Sequence, residues 1–386
     1  MLPMYREHTI RAGQGAERNV QFVGAHTGLW FERFFNQYND QFMVDESAKR
    51  KFLEDIKSLN GSAHGYCGHV AELKRAWCAR QAMVQACGGR MLTRQAAWHF
   101  VTGLGYPHPV ENGLLFHPTL AVPYLPGSSV KGLVRAWIEQ QMPDPGEALQ
   151  RIFGSEHKDP AVAQQDFTAG EIIFFDALPI QPVKLVVDTM TPHLGRWYEQ
   201  GGGAQADMPS TVPADWHDPV PVPFIAVSEV VMLFSFAPRV PRDDTVALLE
   251  FVEGVLSEAL KRLGAGAKTG AGYGLFVELS DAQQAYVERL EQDHRRVEEE
   301  QLKARKTKDL SPEALVLLEL GEQAEKPANW PPGCAFHREL CEQIEKAVSW
   351  PVTERQALAQ FAEGFFKAHA SKKKFKDYKI LINKLK

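Results

Sequence analysis

The stretch LKRLGAGAKTGAGYG, residues 260–274, holds five glycines, two lysines and one threonine. Before it, residues 246–263 carry apolar side chains at helical spacing, and after it YGLFVEL alternates as a strand does. The predicted order is therefore helix, glycine-rich loop, strand. The phosphate-binding loop of nucleotide hydrolases has the opposite order, strand, loop, helix, so that a helix N-terminus faces the anion. Ala267 also stands where that motif requires a glycine before its lysine. We therefore expect no nucleotide hydrolysis at this loop.

The ends of the predicted helix determine how an anion can bind to the loop. Asp243 and Asp244 stand at the expected N-cap, and Gly264 stands where the helix should stop. The C-terminal end of a helix carries partial negative charge and repels a phosphate. A bound anion must therefore be held by Lys268, Thr269 and unpaired backbone N–H groups of the loop.

Further strands and one helix are predicted upstream of this unit. The strands lie at 94–102, 170–180, 183–190 and 224–236, and the helix at about 129–141. Without its insertions the chain follows the order β-α-β-β-α-β, which predicts an α+β fold with a ferredoxin-like (RRM-like) core. Residues 191–223 contain three consecutive glycines and several prolines, and they are too long for a simple connection. We expect them to form a projecting loop.

Helical segments flank this core on both sides. The predicted domains are a helical region at 1–93, the core at 94–280, and a charged helix with a helical extension at 281–386. Periodic apolar positions predict helices at 46–59 and 69–87 in the first region. Residues 281–308 are so rich in acids and bases that an exposed helix is expected.

Composition bounds the class of protein. The chain has 386 residues, 44% of them hydrophobic, and no apolar run of membrane-spanning length is apparent. Five cysteines, an odd number, favour a reducing cytoplasm. The net charge of −5 does not indicate a general nucleic-acid binder, but residues 372–386 contain seven lysines and one aspartate. This tail is either a solvated basic helix end or a contact for nucleic acid or another partner.

The stretch LPGSSVKGLVRAW, residues 125–137, is the second informative motif. Ser128 is a favourable N-cap, and Lys131 and Arg135 lie four residues apart on one face of the predicted helix. Two cations close to a helix N-terminus can grip a phosphate. Gly132 costs about 1 kcal/mol inside a helix relative to alanine, which suggests close approach of another group. The alternative is a surface helix with two ordinary cations.

These two motifs, with three others, resemble the RAMP superfamily of CRISPR RNA-binding proteins. Within it they resemble subunits of the type III-B effector, the Cmr complex. The resemblance covers about residues 94–279 and is carried, in chain order, by GLGYPHPVENG (103–113), VPYLPGSSVKGLVRAW (122–137), DTMTPHLGRWYEQ (188–200), DWHDPVPVPF (215–224) and GAGAKTGAGYG (264–274). It implies a ferredoxin-like core with a glycine-rich loop between its last helix and last strand.

The resemblance also implies a function. It predicts a non-catalytic backbone subunit that binds guide RNA, meets target RNA and packs beside other Cmr subunits, with no cofactor and no membrane. The residues expected to contact RNA phosphates are Ser128, Ser129, Lys131, Arg135, Gly266, Lys268, Thr269, Gly270 and Gly272. The loop at 191–223 would be a thumb that contacts the guide–target duplex through His193, Arg196, Trp197 and Tyr198. The alternatives are a guide-maturation endonuclease and a protein–protein adaptor.

Several other side chains are of types that serve catalysis or metal binding. His108, Glu111 and His117 could form an acid–base set for RNA cleavage, although turn residues between prolines and glycines are the simpler interpretation. Asp188, at a strand end, is a weak candidate for holding a metal beside a scissile phosphate. A second group of side chains lacks the paired C-x-x-C spacing of zinc sites, so a helical core with buried thiols is expected; it comprises His64, Cys67, His69, Cys78 and Cys87.

Overall fold

The computed structural model describes residues 26–58, 66–155, 168–192, 197, 219–307 and 310–386. Its contacts divide the chain into two compact units, Met1–Leu290 and Glu291–Lys386. The first unit mixes helices and antiparallel sheets, so the predicted α+β class is confirmed. The predicted domain division at 93/94 and 280/281 stays a prediction.

The first unit contains ten strands and six complete helices among the residues that the structure describes, and a seventh helix begins in it. The helices are α1 (Thr27–Arg33), α2 (Glu46–Ser58), α3 (Val70–Ala86), α4 (Gly127–Gln141), α5 (Gly146–Phe153), α6 (Thr245–Arg262) and α7 (Asp281–Thr307). The strands are β1 (Tyr66–Cys67), β2 (Arg90–Ala96), β3 (Pro107–His108), β4 (Glu111–Asn112), β5 (Ile172–Phe174), β6 (Leu178–Pro179), β7 (Val183–Met190), β8 (Val222–Ser228), β9 (Val231–Pro238) and β10 (Phe276–Val277).

The main sheet has the strand order β10-β2-β9-β5, with β6 also paired to β9. Each neighbouring pair is antiparallel. Along the chain, helix α4 lies between β2 and β5, and helix α6 lies between β9 and β10. The two helices pack against each other, and α6 also contacts β2, β9 and β10. The sheet elements and these two helices therefore follow one another as β2, α4, β5, β9, α6 and β10.

Strand β9 is buried on both faces of the main sheet. Met232, Phe234 and Phe236 belong to the main core, which also contains the buried faces of α4 and α6. The alternate residues Val231 and Leu233 pack against Trp77 of α3 and the first turns of α7. A strand covered on both faces reads as a continuous apolar run without the period-2 alternation of a half-exposed strand.

The prediction of a single strand at 224–236 is wrong for this reason. The segment forms two strands, and β8 pairs with β7 while β9 pairs with β2 and β5. The chain changes direction at Glu229, whose φ is +54°. Because every flanking residue is apolar, periodicity gave no sign of the break, and the polar pair Ser228-Glu229 was the available signal.

Other predicted strands also differ in extent. The strand predicted at 94–102 is β2, Arg90–Ala96, so it begins and ends earlier. The strand predicted at 170–180 is two short strands, β5 and β6. Strand β7 matches the prediction at 183–190, but it pairs with β1 and β8 in a second sheet of order β1-β7-β8 and not in the main one. The strand after the glycine-rich loop is reduced to the two residues of β10.

The helical predictions are confirmed more closely. The helices expected at 46–59, 69–87, 129–141, 246–263 and 281–308 are α2, α3, α4, α6 and α7. Asp244 is the N-cap residue of α6, but its side chain makes no capping hydrogen bond and pairs with Arg242 and Arg151. The first helices share the main core, since Phe31, Phe35 and Phe52 are buried within it.

The second unit is helical throughout the part described. It contains the end of α7 followed by α8 (Pro312–Ala324), α9 (Ala335–Lys346), α10 (Val352–His369) and α11 (Lys372–Ile382). Its own apolar core includes Phe336, Leu340, Leu358 and Phe366. The predicted break at 326–333 is confirmed as the connection between α8 and α9.

Candidate functional site

The glycine-rich loop at 264–274 starts where α6 ends. Gly264, with φ +75°, donates its N–H to the carbonyl of Ala259 and so terminates the helix as predicted. The loop then closes on itself, because the N–H of Ala265 donates to the carbonyl of Gly274 at 2.8 Å. Two further hydrogen bonds join it to the segment after β2: Ala267 N–H to Val101 O at 2.8 Å and Gly274 N–H to His99 O at 2.7 Å.

Left-handed backbone conformations shape the loop. Gly266 has φ +96°, and a Cβ atom there would lie 2.2 Å from the carbonyl oxygen of Val101, so glycine is required. Lys268 and Gly272 are also left-handed, with φ of +58° and +89°. Gly270 is not left-handed, and nothing lies within 4 Å of the position of its Cβ. Among the described residues, the backbone of Gly270 is therefore open to approach by another molecule.

The loop presents backbone N–H groups that have no acceptor in the part of the chain the structure describes. They belong to Gly266, Lys268, Thr269 and Gly270. Lys268 is left-handed, and Thr269 begins a right-handed 3-10 turn, Thr269–Ala271. This alternation turns successive N–H groups towards one side, which is the geometry of an anion-binding nest.

A cleft of about 560 Å³ brings this loop to the start of α4. Its walls are residues 102–105, residues 263–267 with Thr269, and the face of α4 that carries Ser129, Leu133 and Gln140. Three of the predicted contact residues, Ser129, Gly266 and Thr269, therefore line one cleft. Sequence alone could not place the loop beside α4.

Lys131 and Arg135 lie on the opposite face of α4. Their charged groups stand 5.8 Å and 5.4 Å from the centroid of the Phe153 ring of α5. Arg135 also pairs with Glu139 at 2.9 Å, one turn further along the helix. At helical spacing these two positions point away from the face that carries Ser129. The contacts predicted at Lys131 and Arg135 therefore lie on the side of the helix away from the cleft, Ser129 and the glycine-rich loop.

Ser128 is exposed within the first turn of α4 and is not its N-cap, contrary to the prediction. The helix begins after Pro126, and the N–H of Gly127 donates to the Asp176 carboxylate at 2.7 Å. Asp176 comes from the loop between β5 and β6, so the cap is supplied by a residue distant in sequence. One of the first N–H groups of the helix is thereby already satisfied by an anion.

The Lys268 side chain extends towards the second sheet. Its ammonium lies 3.8 Å from Met190 Sδ and 5.5 Å from the ring centroid of Phe224. Both residues belong to a small buried cluster that fixes the loop against β7 and β8. The ammonium group is only partly covered there, and a cation over an aromatic ring is stabilised without an acidic partner.

Asp188 is held in a hydrogen-bonded cluster beside the loop. Its Oδ2 accepts a hydrogen bond from the Tyr273 hydroxyl at 2.6 Å and lies 3.3 Å from Nδ1 of His99, while its Oδ1 accepts from the Thr189 N–H. Burial raises the pKa of Asp188, but the hydrogen bonds from Tyr273, Thr189 and His99 outweigh it and lower the pKa below its ordinary value. Burial and the same carboxylate raise the pKa of Tyr273. Both oxygens of Asp188 are engaged in these contacts.

The tryptophan next to this cluster was not singled out from the sequence. The ring of Trp98 stacks on His99 with centroids 4.4 Å apart and lies 4.8 Å from the ring of Tyr273. The run WHF at 98–100 and the GYG at 272–274 are 170 residues or more apart in sequence, and the hydrogen bonds of the loop and the pairing of β10 with β2 bring them together. An aromatic residue within a glycine-rich loop was the available signal.

The proposed acid–base set is engaged in structural contacts. His108 stacks on Phe31 with centroids 4.1 Å apart, and its Nε2 lies 2.8 Å from the carbonyl oxygen of Phe31. Glu111 forms an ion pair with Lys49. His117 Nδ1 accepts the N–H groups of Thr119 and Leu120. These contacts favour the simpler interpretation as turn residues.

The remaining candidates concern metal binding, the thumb and the membrane. Among the described residues, no group of three or more His, Cys, Asp or Glu side chains is arranged to hold a metal; His64 lies outside them. Cys67 is buried, whereas Cys78 and Cys87 are half-buried thiols. The predicted thumb contacts His193, Arg196 and Tyr198 lie outside the described residues, and Trp197 is described by itself. The structure describes no helix long and apolar enough to cross a membrane.

The lysine-rich tail forms α11 and the turn after it. Its seven lysines are all exposed, and Lys386 pairs with Glu363 of α10 at 2.9 Å. The apolar residues Ile382 and Leu385 are buried in the core of the second unit. The tail is therefore part of a folded helical unit.

Comparison with known proteins identifies related chains. Residues 98–277 match the family model of RAMPs, the RAMP superfamily. The chain is 34% identical over 154 residues to the CRISPR system Cmr subunit Cmr6 of Pyrococcus furiosus, covering 38% of this chain and 39% of that protein. It is 32% identical over 88 residues to Cmr6 of Saccharolobus solfataricus, covering 22% of this chain and 27% of that protein. The matches thus span less than half of either relative.

Two solved structures are also similar. One is the type III-B Cmr-beta complex bound to cognate target RNA, with TM-score 0.47 and 17% identity over 69% of this chain and 94% of that one. The other is the crystal structure of Cmr6 from Pyrococcus furiosus, with TM-score 0.27 and 24% identity over 50% of this chain and 98% of that one. The resemblance to the RAMP superfamily, and within it to the sixth Cmr subunit, is confirmed by the family and sequence matches.

Proposed function

Since residues 98–277 match the family model of the RAMP superfamily, we propose that the chain is a guide-RNA-binding scaffold subunit of a type III-B CRISPR ribonucleoprotein that silences invading RNA. The two curated relatives, both Cmr6 subunits, support this assignment. Its partners are guide RNA, target RNA and other Cmr subunits, and its compartment is the cytoplasm. It binds RNA and does not cut it.

The observation that carries the proposal is the row of unpaired N–H groups at Gly266, Lys268, Thr269 and Gly270. Two of these residues line a cleft whose opposite wall bears Ser129. Backbone N–H groups and a serine hydroxyl suit phosphate oxygens, which carry affinity without base identity. A subunit that must accept guides of any sequence requires that kind of contact.

The strand order supports a ferredoxin-like core in this subunit. The elements β2, α4, β5, β9, α6 and β10 follow the β-α-β-β-α-β order, and their strands lie in the order fourth, first, third, second across the sheet. The glycine-rich loop joins the second helix to the fourth strand. We assign the projecting thumb to 191–223, with His193, Arg196, Trp197 and Tyr198 as its contacts to the duplex.

Lys131 and Arg135 form a second contact in this proposal. They face α5 and not the cleft, so a phosphate held by them is not the phosphate held by the loop. Each lost phosphate contact on single-stranded RNA should reduce the salt dependence of binding by about 0.7 in log–log slope. The two contacts are therefore separable by measurement.

The first test is RNA binding by the full chain. Two labelled single-stranded RNAs of unrelated sequence are titrated between about 50 and 200 mM salt. Gly270→Val places a side chain beside the N–H row, and its Cβ has no described atom within 4 Å, so it should weaken binding to both RNAs equally. Lys268→Gln should weaken binding and reduce the salt slope by about 0.7.

The matched control is Gly254→Val, at an exposed position of α6 where a Cβ also meets nothing within 4 Å. It should bind RNA like the parent chain. A loss at Gly270→Val that depends on RNA sequence would contradict the phosphate assignment. No RNA binding by the parent chain would favour the adaptor, and shortened RNA after incubation would favour the endonuclease.

A further inference from the structure

Trp98 is a large aromatic residue that the fold supports without burying. Half of its surface, 50%, is exposed, although one face of the indole is covered by the parallel ring of His99 at an interplanar angle of 13°. An indole has much more to gain from burial than most side chains, and an exposed one is typical of surfaces where a second molecule binds. The exposed face of the Trp98 indole is therefore suited to a ligand with a flat ring of its own.

The two rings that pack against Trp98 are themselves held by hydrogen bonds. His99, on which Trp98 stacks, lies 3.3 Å from Asp188, and its carbonyl accepts the Gly274 N–H. Tyr273, whose ring lies 4.8 Å from that of Trp98, donates its hydroxyl to the same carboxylate at 2.6 Å. A ring held in advance loses little side-chain entropy when a ligand stacks on it.

The Trp98 ring, through Tyr273, and the Lys268 ammonium are both connected to strand β7. Asp188 and Met190 are alternate residues of β7 and so share one face of that strand. Asp188 anchors Tyr273 beside Trp98, whereas Met190 contacts the Lys268 ammonium at 3.8 Å. The exposed ring and the cation therefore both lie close to the end of β7, beside the glycine-rich loop.

We infer that Trp98 is a stacking platform for one unpaired base of single-stranded RNA whose phosphates bind the glycine-rich loop; this rests on the proposed function. Stacking on a tryptophan is available to every base, so the platform adds affinity without reading sequence. RNA is favoured over a protein side chain, because an apolar protein surface that covered both Trp98 and the glycine-rich loop would bury the loop N–H groups and the Lys268 ammonium without partners.

The test combines a Trp98 variant with RNA that lacks one base. The full chain and Trp98→Ala are titrated with a series of short RNAs in which one nucleotide at a time is abasic. Trp98→Ala should weaken binding of intact RNA about tenfold, within the range of alanine substitutions at base-stacking rings. At one position the abasic RNA should bind the parent chain more weakly by a similar factor, yet bind Trp98→Ala no more weakly than intact RNA does.

Three further measurements exclude a merely structural role. Trp98→Phe, which keeps a flat ring, should retain most of the affinity, whereas Trp98→Leu keeps apolar bulk and should lose it. Trp330→Ala removes an exposed tryptophan of the second unit, 42% exposed, and should leave affinity unchanged. The melting temperature of each variant is measured, and Trp98→Leu replaces Trp98→Ala if the alanine variant is unstable.

The outcomes separate this inference from the proposed function. If Gly270→Val weakens binding but Trp98→Ala and Trp98→Leu do not, the platform is excluded and the phosphate site stands. If Trp98→Ala weakens abasic and intact RNA equally at every position, the ring does not stack on a base. If the Trp98 variants lose association with other Cmr subunits but keep RNA, the ring contacts protein. If the parent chain binds no RNA, the proposed function itself fails.

Discussion

His108 shows how a single half-buried side chain can make stability depend on pH. Its Nδ1 accepts the Val110 N–H at 3.2 Å, so the proton resides on Nε2, which donates to the Phe31 carbonyl. Burial lowers the pKa of His108, and the bond to Phe31 offsets this only in part. A second proton on Nδ1 would face the N–H of Val110. The ring therefore stays neutral in the folded protein where an exposed histidine would be charged.

We predict that His108 makes the folded protein less stable as the pH falls below about 6.5, the ordinary histidine pKa. The unfolded chain takes up the proton first there, so stability is fully present above this pH and falls as the pH moves towards the lowered folded-state pKa. Urea midpoints measured between pH 7.5 and 5 should fall less steeply for His108→Gln than for the parent chain, although the variant is less stable throughout. Equal slopes for His108→Gln and the parent chain would contradict the assignment.

At the scale of elements, the start of α4 depends on a carboxylate from another part of the chain. The Asp176 side chain accepts the Gly127 N–H, and Arg80 donates to the Asp176 carbonyl at 2.9 Å. A side chain on Gly127 would meet the carbonyl of Phe174 at 2.4 Å. Helix α4 and strand β5 are thus joined by a close backbone approach that only glycine permits.

Asp176→Ala should lower the free energy of unfolding by about 1 kcal/mol, the usual cost of losing an N-cap acceptor. Ser128→Ala should change it by less than about 0.5 kcal/mol, because that hydroxyl is exposed and does not cap the helix. Asp176→Asn retains an acceptor oxygen and should lose less than the alanine variant. Chemical denaturation of the three variants checks the ranking. A larger loss at Ser128 than at Asp176 would restore the cap predicted from the sequence.

At the scale of the whole molecule, the two units have separate cores. The RAMP region at 98–277 lies within Met1–Leu290, and the second unit, Glu291–Lys386, is outside the family match. Phe366 is fully buried in the second unit, where it stacks on Tyr378 with centroids 4.0 Å apart. A substitution that destabilises this core therefore tests whether the second unit takes part in RNA binding.

Phe366→Ala should destabilise the second unit by about 3–5 kcal/mol, the usual cost of deleting a buried phenylalanine side chain. The affinity of the full chain for single-stranded RNA should not change, because the proposed contacts all lie in the first unit. Phe366→Leu fills most of the volume and serves as the milder comparison. Calorimetry follows the unfolding of each variant while RNA titration follows function. A loss of RNA affinity that scales with the destabilisation would assign RNA binding to the second unit as well.

The sequence by itself determined the helices, the α+β class and the resemblance to the RAMP superfamily. Helices can be predicted from local sequence, because the apolar spacing and the terminating glycine lie within a few turns of each other. Both α6 and its end at Gly264 were predicted in this way. The chemistry of the glycine-rich loop was equally local, because the order helix, loop, strand is enough to exclude a nucleotide site of the phosphate-loop kind.

Tertiary structure alone decided the strands and the composition of the site. Strand β9 is buried on both faces and so lost the alternation that would have separated it from β8. The first N–H group of α4, that of Gly127, is capped by the carboxylate of Asp176, 49 positions further along the chain, and not by Ser128. The loop meets Ser129 across a cleft, whereas Lys131 and Arg135 face away, and Trp98 joins Tyr273 through the Gly274–His99 hydrogen bond. These contacts join residues remote in sequence, and no local pattern of side chains encodes which remote partner a residue will meet.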